Sequence, residues 1–310
     1  MVGYMLEIAS QVAVLFIMIA VGFVMFKSGG VKASFLPGFT TLLLYVVTPA
    51  LLINSMLSVK FSMDTLKELG IVFGVAFAVH FAAWAITVPL FKSREQRQRV
   101  VYRAAVILSN AGFMSLPLAN ALVGSKGVFL VSVYVMVFNI ISWTLVYRMF
   151  NPGNFNLKKL LLNPGIIGVA VGAFFFFTGI ALPEFAASAV RYIAEMNTPL
   201  AMIVIGGMIA TGGIAIKKEE IPSMMLSISL RLLIVPAIAL GAMLLIGSLE
   251  GELIFSIMIP ICAPVAANSA MFAGQFGADG PLGSRLLAVS TVLSVVTMPV
   301  VLALARLLAF

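Results

Sequence analysis

Long apolar runs separated by short polar stretches dominate this sequence. A transmembrane helix needs about 20 mostly apolar residues. Ten segments approach or exceed that length, at roughly 5–26, 36–58, 66–91, 101–123, 127–150, 161–181, 195–216, 222–247, 253–276 and 282–308. No polar stretch between them is long enough to form a soluble domain. The pattern therefore predicts an all-α membrane protein with ten transmembrane helices in a single membrane domain.

The composition supports this prediction and excludes several classes of protein. Of 310 residues, 62% are hydrophobic and only 10% are charged, whereas soluble domains are about half apolar and about a quarter charged. We therefore expect a multi-pass protein of the cell inner (plasma) membrane, in contact with lipid. The chain has one cysteine, Cys262, and one histidine, His80, which exclude an intrachain disulfide and a Cys/His metal cluster. No cofactor or metal is expected.

The positive charges are distributed unevenly between the loops. Cytoplasmic loops of membrane proteins carry an excess of Lys and Arg. The loops after odd-numbered spans hold thirteen of these residues and the opposite side holds five, with Arg231 inside the eighth span. This asymmetry places both termini outside the cytoplasm and accounts for the net charge of +8 without nucleic acid. The run "KSREQRQRV" at 92–100 could alternatively be a patch for lipid headgroups.

The prolines indicate an internal repeat. Five prolines of the first half each have a counterpart 146–150 residues later; the pairs are Pro37 and Pro183, Pro49 and Pro199, Pro89 and Pro236, Pro117 and Pro264, and Pro152 and Pro299. We therefore predict two five-helix repeats, 1–150 and 151–310. Because five is an odd number, the second repeat must insert with inverted topology, as in many secondary transporters.

Two of the apolar segments are interrupted by helix breakers and amides. The fourth span contains "ILSNAGFMSLPLANALVG" at 107–124, and the ninth contains "IPICAPVAANSAMFAGQFG" at 259–277. Interrupted helices at corresponding places of two repeats are typical of a transporter binding site, and helix N-termini meeting there would attract an anion. The alternative is that the prolines are ordinary kinks and the asparagines only join helices.

Several stretches resemble the auxin efflux carrier family, which includes bacterial relatives of the plant PIN-type carriers. "LSNAGFMSLPLANALVG" is similar to the family's fourth span and "APVAANSAMFAGQFGAD" to its ninth. Further similarity lies in "FNIISWTLV", "LLNPGIIG", "TPLAMIVIGGMIA" and "RLLIVP". The long central loop of many plant members is missing, because only "NPGNFNLKK" joins spans five and six.

The resemblance implies a fold shared with bile-acid symporters and sodium/proton antiporters. In that fold, spans one, two, six and seven form a scaffold. The other spans form a transport domain whose broken helices cross at Pro117 and near Pro264. The implied substrates are organic anions: auxin in plants, and malate, malonate or similar carboxylates in bacteria. A homodimer through the scaffold helices is compatible with this arrangement.

Seven residues are predicted to bind the substrate. The resemblance assigns substrate contact to Asn110, whose amide can donate two hydrogen bonds to a carboxylate. Its alternative role is a cap for the broken backbone. The resemblance also places polar groups at Asn139 and Asn163, although Asn163 could simply begin its helix ahead of Pro164. The interrupted segments add the remaining members, Pro117, Pro264, Asn268 and Ser269.

Three ionisable residues are candidates for coupling or for charge compensation. A cation inside a span is costly and therefore functional by default. Arg231 either pairs with the substrate or is compensated by carbonyl groups or by snorkelling. Asp64 resembles a family aspartate suggested as a coupling group, but it is also an ordinary helix N-terminal residue. His80 could titrate near neutral pH or be a hydrogen-bonded buried histidine.

The leading hypothesis is a secondary transporter of small organic anions that works by elevator-type alternating access. One alternative is a sodium-coupled symporter of the bile-acid type, in which backbone carbonyls at both breaks bind sodium together with Asn110, Asn268 and Ser269. Another is a channel or receptor that uses the same fold without transport. An enzyme is not expected, because no nucleophile–base pair or metal-ligand set is visible.

Overall fold

The computed structural model describes residues 2–152, 158, 161–212, 216 and 218–310, with side chains from residue 8 onward. Two of the basic residues counted above, Lys159 and Lys217, lie outside the described residues. The described residues are helical apart from the connecting segments and one isolated antiparallel bridge. The helices are α1 (Val2–Lys27), α2 (Ala33–Leu57), α3 (Met63–Leu90), α4 (Gln96–Ile107), α5 (Ala111–Val123), α6 (Ser125–Phe150), α7 (Pro164–Thr178), α8 (Glu184–Thr211), α9 (Lys218–Ile246), α10 (Gly251–Ile261), α11 (Ala267–Gln275) and α12 (Gly280–Ala309).

Seven of these helices are long and apolar enough to cross a membrane, within the part of the chain that the structure describes. They are α1, α2, α3, α6, α8, α9 and α12. Three more, α5, α7 and α10, are apolar but shorter. The predicted fourth span is divided into α4 and α5, and the predicted ninth span into α10 and α11. The described part of the chain is therefore all-helical, with several helices that could cross a membrane, and two of the predicted spans are each divided into two helices.

Helix α8 begins earlier than the apolar pattern predicts. Its first residue is Glu184, whereas the predicted span begins near 195. Pro183 precedes the helix in an extended conformation, which sets its start. The first segment, Glu184–Glu195, is amphipathic and packs on the second half of α2. A search for continuous apolar runs misses such a segment because one of its faces is polar.

Pro117 does not interrupt the fourth span, contrary to the expectation that the broken helices cross there. The interruption lies at Leu108–Asn110, and Pro117 lies in the first turn of the regular helix Leu116–Val123. A π-turn, Ala111–Ser115, precedes this proline. Proline lacks an N–H and clashes with the preceding turn, and a wider π-turn accommodates both effects without a break. The same arrangement precedes Pro49 and Pro236.

The two interruptions pair with each other. The Asn110 N–H donates to the Pro264 carbonyl at 2.8 Å, and the Ala266 N–H donates to the Leu108 carbonyl at 3.0 Å. These bonds form an antiparallel bridge between Ser109 and Val265, both of which are fully buried. Unpaired backbone groups inside a membrane cost several kcal/mol each, so the pairing is what allows both helices to stop there.

The helices can be described as two groups that also contact each other, since α1 packs on α12 and α2 packs on α6. The first group comprises α1, α2, α7 and α8. Helix α1 lies along α8, and α2 lies along α7. Helices α3, α4, α5, α6, α9, α10, α11 and α12 form the second group through contacts such as α3 with α6 and α11 with α12. The α1–α8 contact is unusually close, because a Cβ atom at Gly206 would lie 2.1 Å from the Ile19 carbonyl oxygen. Glycine at this position lets the two backbones touch.

We predict that Gly206→Ala destabilises the protein, because the added methyl group forces α1 and α8 apart. Overpacking of this kind costs about 1–3 kcal/mol. The measurement is thermal unfolding of the purified protein in detergent. Gly241→Ala in α9 is the matched control, since a Cβ atom there meets no atom within 4 Å. Equal melting temperatures for the two variants would contradict the close contact.

Candidate functional site

A cavity of about 990 Å³ lies against the paired interruptions. One wall comes from the beginning of α5, with Asn110, Gly112 and Phe113, and from the beginning of α11, with Ala267 and Asn268. The facing wall comes from α2 and α7, with one residue of α8. Helix α6 contributes Val135, Phe138, Asn139 and Trp143. The cavity therefore lies between the two helix groups, and the N-terminal ends of two half-helices open into it.

These two N-terminal ends give the cavity a positive potential. The first N–H groups of a helix have no partner inside the helix, and each N-terminus carries about half an elementary positive charge. The N-cap residues Asn110 and Ala266 make no side-chain hydrogen bond to the first turn of α5 or α11. The only charged side chain among the described lining residues is Lys158. The site therefore suits an anion.

Asn110 lines the cavity and carries a side-chain amide that is unpartnered within the described part of the chain. Its side chain is only 3% exposed and lines the cavity, and its Nδ2 has no hydrogen-bond partner among the described residues. The backbone of Asn110 is occupied, because its N–H donates to Pro264 and its carbonyl accepts from the Met114 N–H at 3.1 Å. The expected alternative of a side-chain cap does not occur in this structure. The Nδ2 donors of Asn110 are therefore unused in this arrangement.

Three further predicted amides line the same cavity. Asn268 Nδ2 donates to Ser142 Oγ at 3.4 Å, and Asn139 Nδ2 donates to the Val135 carbonyl at 2.9 Å. Asn163 Oδ1 accepts from the Ile166 N–H at 3.2 Å, so this residue also caps α7. Four of the seven residues predicted to bind substrate are thus brought together.

Gly165 lies close to two of these amides. A Cβ atom at this position would lie 2.9 Å from Asn139 Nδ2 and 3.1 Å from Asn163 Oδ1. Asn139 belongs to α6 and Gly165 to α7, so the absence of a side chain at Gly165 lets α7 lie close to α6 at the cavity.

The remaining three predicted residues do not line the cavity. Pro264 accepts the Asn110 N–H, Ser269 Oγ donates to the Ala104 carbonyl at 3.3 Å, and Pro117 is buried in α5. Ser290 supports the same region, since its Oγ accepts from the Val265 N–H at 3.1 Å. Pro264, Ser269 and Ser290 thus stabilise the interrupted segments through hydrogen bonds, without lining the cavity.

The ionisable candidates also lie away from the cavity lining. Asp64 is exposed in the first turn of α3 and forms an ion pair with Lys67 at 3.1 Å, which is the ordinary helix-terminal role. His80 is fully buried, with Nδ1 2.6 Å from the Ala76 carbonyl and its ring 5.2 Å from the ring of Tyr134. Arg231 is fully buried and donates to backbone carbonyls of α4 and α10.

Sequence reasoning missed several lining residues. They are Thr40, Thr41 and Thr48 on α2, Trp143 on α6, Lys158 between α6 and α7, and Gln275 at the end of α11. Threonines on one face of an otherwise apolar span were an available signal. Their hydroxyl groups are partly satisfied locally, as Thr40 Oγ1 donates to the Leu36 carbonyl at 2.8 Å.

Comparison with protein-family models gives a match. A family model described as a membrane transport protein matches residues 7–156 and again residues 153–302. The first match includes α4 and α5, and the second includes α10 and α11. A search of curated proteins returned no match.

We predict that Met271→Cys reacts with a polar thiol reagent, because Met271 lines the cavity and is 40% exposed. The unmodified protein is the first control, since its single cysteine, Cys262, is 1% exposed. Met114→Cys is the second control, because Met114 is fully buried beside the same cavity. Mass spectrometry counts the label. Absence of label on Met271→Cys, as on Met114→Cys, would show that the reagent does not enter the cavity.

Proposed function

Since this chain belongs to the membrane transport protein family, whose model matches it twice, we propose that it is a secondary carrier of small organic anions. The match confirms the resemblance to the auxin efflux carriers, a family of transporters and not of enzymes. One observation carries the proposal: two half-helix N-termini and the unpartnered Asn110 amide converge on one cavity. No carboxylate is present among the described lining residues to repel an anion.

The proposed architecture has ten membrane crossings. Helices α4 and α5 together make one crossing, and α10 and α11 make another. The repeats 1–150 and 151–310 then have inverted topology, and their interrupted helices form the crossover. Helices α1, α2, α7 and α8 form the scaffold, which is supported by the close packing of α1 on α8 and of α2 on α7. The remaining helices form the transport domain.

Transport takes place by an elevator-type movement of that domain against the scaffold. Support comes from the position of the cavity, whose walls belong to opposite groups: Asn110 and Asn268 to the transport domain, and Thr48 and Asn163 to the scaffold. A sliding movement along this boundary carries the two helix N-termini together, because the bridge between Ser109 and Val265 joins them.

The cavity faces the cytoplasm in the proposed orientation. Its lining extends to the exposed residues Ala33, Lys158 and Gln275. Ala33 follows the loop with Lys27 and Lys32, one of the basic loops that the positive-inside rule assigns to the cytoplasm. In this proposal the protein lies in the inner (plasma) membrane with both termini outside, and the cavity is open toward the cytoplasm.

Neutral amides suit a carrier because the substrate must also leave. A carboxylate accepts hydrogen bonds from Asn110 and Asn268 and from the helix N-termini. Burying it against a permanent cation would add a large desolvation penalty and a strong pairing energy. Aromatic side chains of Phe113, Phe138 and Trp143 line the rest of the cavity and offer contact area to an apolar body.

We expect small carboxylates to raise the melting temperature of the purified protein, and Asn110→Ala to weaken that binding. Loss of a hydrogen bond to a charged group costs about 1.5–3 kcal/mol, which corresponds to roughly ten- to a hundredfold in Kd. A screen of carboxylates by thermal shift, followed by titration of the best ligand, measures the effect.

The matched control for this experiment is Asn120→Ala. Asn120 lies on the same half-helix but is exposed and does not line the cavity, so its loss should leave the Kd unchanged. A lower melting temperature of Asn110→Ala with an unchanged Kd would assign Asn110 a structural role. Failure of every carboxylate to bind the unmodified protein would reject the proposed substrate class.

A further inference from the structure

Arg231 joins the two interrupted spans. It contacts the C-terminal ends of α4 and α10, the first halves of these spans. It lies in the π-turn Leu230–Ile234 of α9 and is fully buried. Its Nη1 donates to the Val106 carbonyl at 2.9 Å, and its Nη2 donates to the Ile261 carbonyl. Val106 lies in the last turn of α4, and Ile261 is the last residue of α10. One guanidinium therefore binds the C-terminal ends of both half-helices.

The charge of this arrangement is balanced without a carboxylate. A helix C-terminus carries about half an elementary negative charge, so the two ends together match one guanidinium. None of the ion pairs among the described side chains includes Arg231. A buried cation without compensation would be costly. The carbonyl groups at the two helix ends thus compensate the charge of Arg231.

Arg231 does not line the cavity where the anion is proposed to bind. It contacts α4 and α10, which precede the interruptions, whereas the cavity is lined by the beginnings of α5 and α11, which follow them. The segments paired at Ser109 and Val265 lie between these helices along the chain. Direct pairing between Arg231 and the substrate is therefore absent from this arrangement.

We propose that Arg231 is a built-in counter-ion that fills the place of a coupled metal cation. In carriers with broken helices, half-helix C-terminal ends and unwound carbonyls coordinate the coupling ion, such as sodium. Here those carbonyls are already occupied by a guanidinium covalently fixed to α9. The protein consequently has no sodium site at these helix ends, and the positive charge moves with the interrupted helices in every cycle. This inference goes beyond the proposed function and does not depend on the substrate.

The test uses Arg231→Lys, Arg231→Gln and Arg231→Ala, and measures Tm without any substrate. Each variant is compared in sodium chloride, in guanidinium chloride at a low, non-denaturing concentration, and in choline chloride of equal ionic strength. Lysine keeps the positive charge, and glutamine keeps hydrogen-bond donors without the charge. Alanine removes the whole guanidinium and leaves room for a cation from solution. Arg191→Gln, an exposed arginine on α8, is the control for loss of a positive charge.

We expect the glutamine and alanine variants to have a lower Tm than the unmodified protein and the lysine variant. In these two variants alone, sodium or guanidinium should raise Tm relative to choline, in proportion to the logarithm of ion concentration above its Kd. A structural arginine without an electrostatic role would give a lower Tm with no preference among the three salts. That result, or neutral variants as stable as the unmodified protein, would overturn the proposal.

If the neutral variants do not survive purification, the amount of each variant in the membrane fraction tests the proposal instead. The amounts of Arg231→Lys and Arg231→Gln in the membrane fraction are then compared with that of Arg191→Gln. The proposal predicts that the lysine variant accumulates and the glutamine variant does not. Equal amounts, or more of the glutamine variant, would contradict it. Because neither measurement needs a substrate, the result is independent of whether the protein carries anions.

Discussion

The hydrogen-bonded pairing of two interrupted helices is the constraint on which the rest of this structure depends. Inside a membrane, a helix can stop only where its free backbone groups find partners. Here the partners are mutual, because Asn110 donates to Pro264 and Ala266 donates to Leu108. The pairing produces two N-terminal ends that open into the cavity. It also produces two C-terminal ends that bind Arg231.

Much of this arrangement could be predicted from the sequence because it leaves local traces. Amides and prolines within apolar runs indicated both interrupted spans, and Asn110, Asn139, Asn163 and Asn268 do line one cavity. The exact position of the first interruption could not be predicted. Pro117 is the strongest local helix breaker, yet a π-turn accommodates it, and the actual break depends on a partner more than 150 residues away.

The partners of Arg231 were also hidden from sequence reasoning, since they are backbone carbonyls on two distant helices. The sequence indicated that a cation lies inside a span and that carbonyl groups were one way to compensate its burial, but it could not identify which carbonyls. The proposed mechanism separates two electrostatic tasks as a result. The permanent cation of Arg231 stabilises the C-terminal ends of α4 and α10. The neutral amides of the cavity face the substrate, which must both bind and leave. The substrate site thus needs no fixed charge of its own beyond the helix N-termini.

Counterflow in proteoliposomes tests the central claim most directly, namely that the cavity at the helix N-termini carries anions. Liposomes loaded with an unlabelled carboxylate such as malonate are diluted into the labelled compound, and malonamide serves as the matched neutral competitor. The account predicts saturable accumulation of label that other carboxylates inhibit and malonamide does not. Uptake that rises linearly without saturation, or equal inhibition by malonate and malonamide, would contradict it.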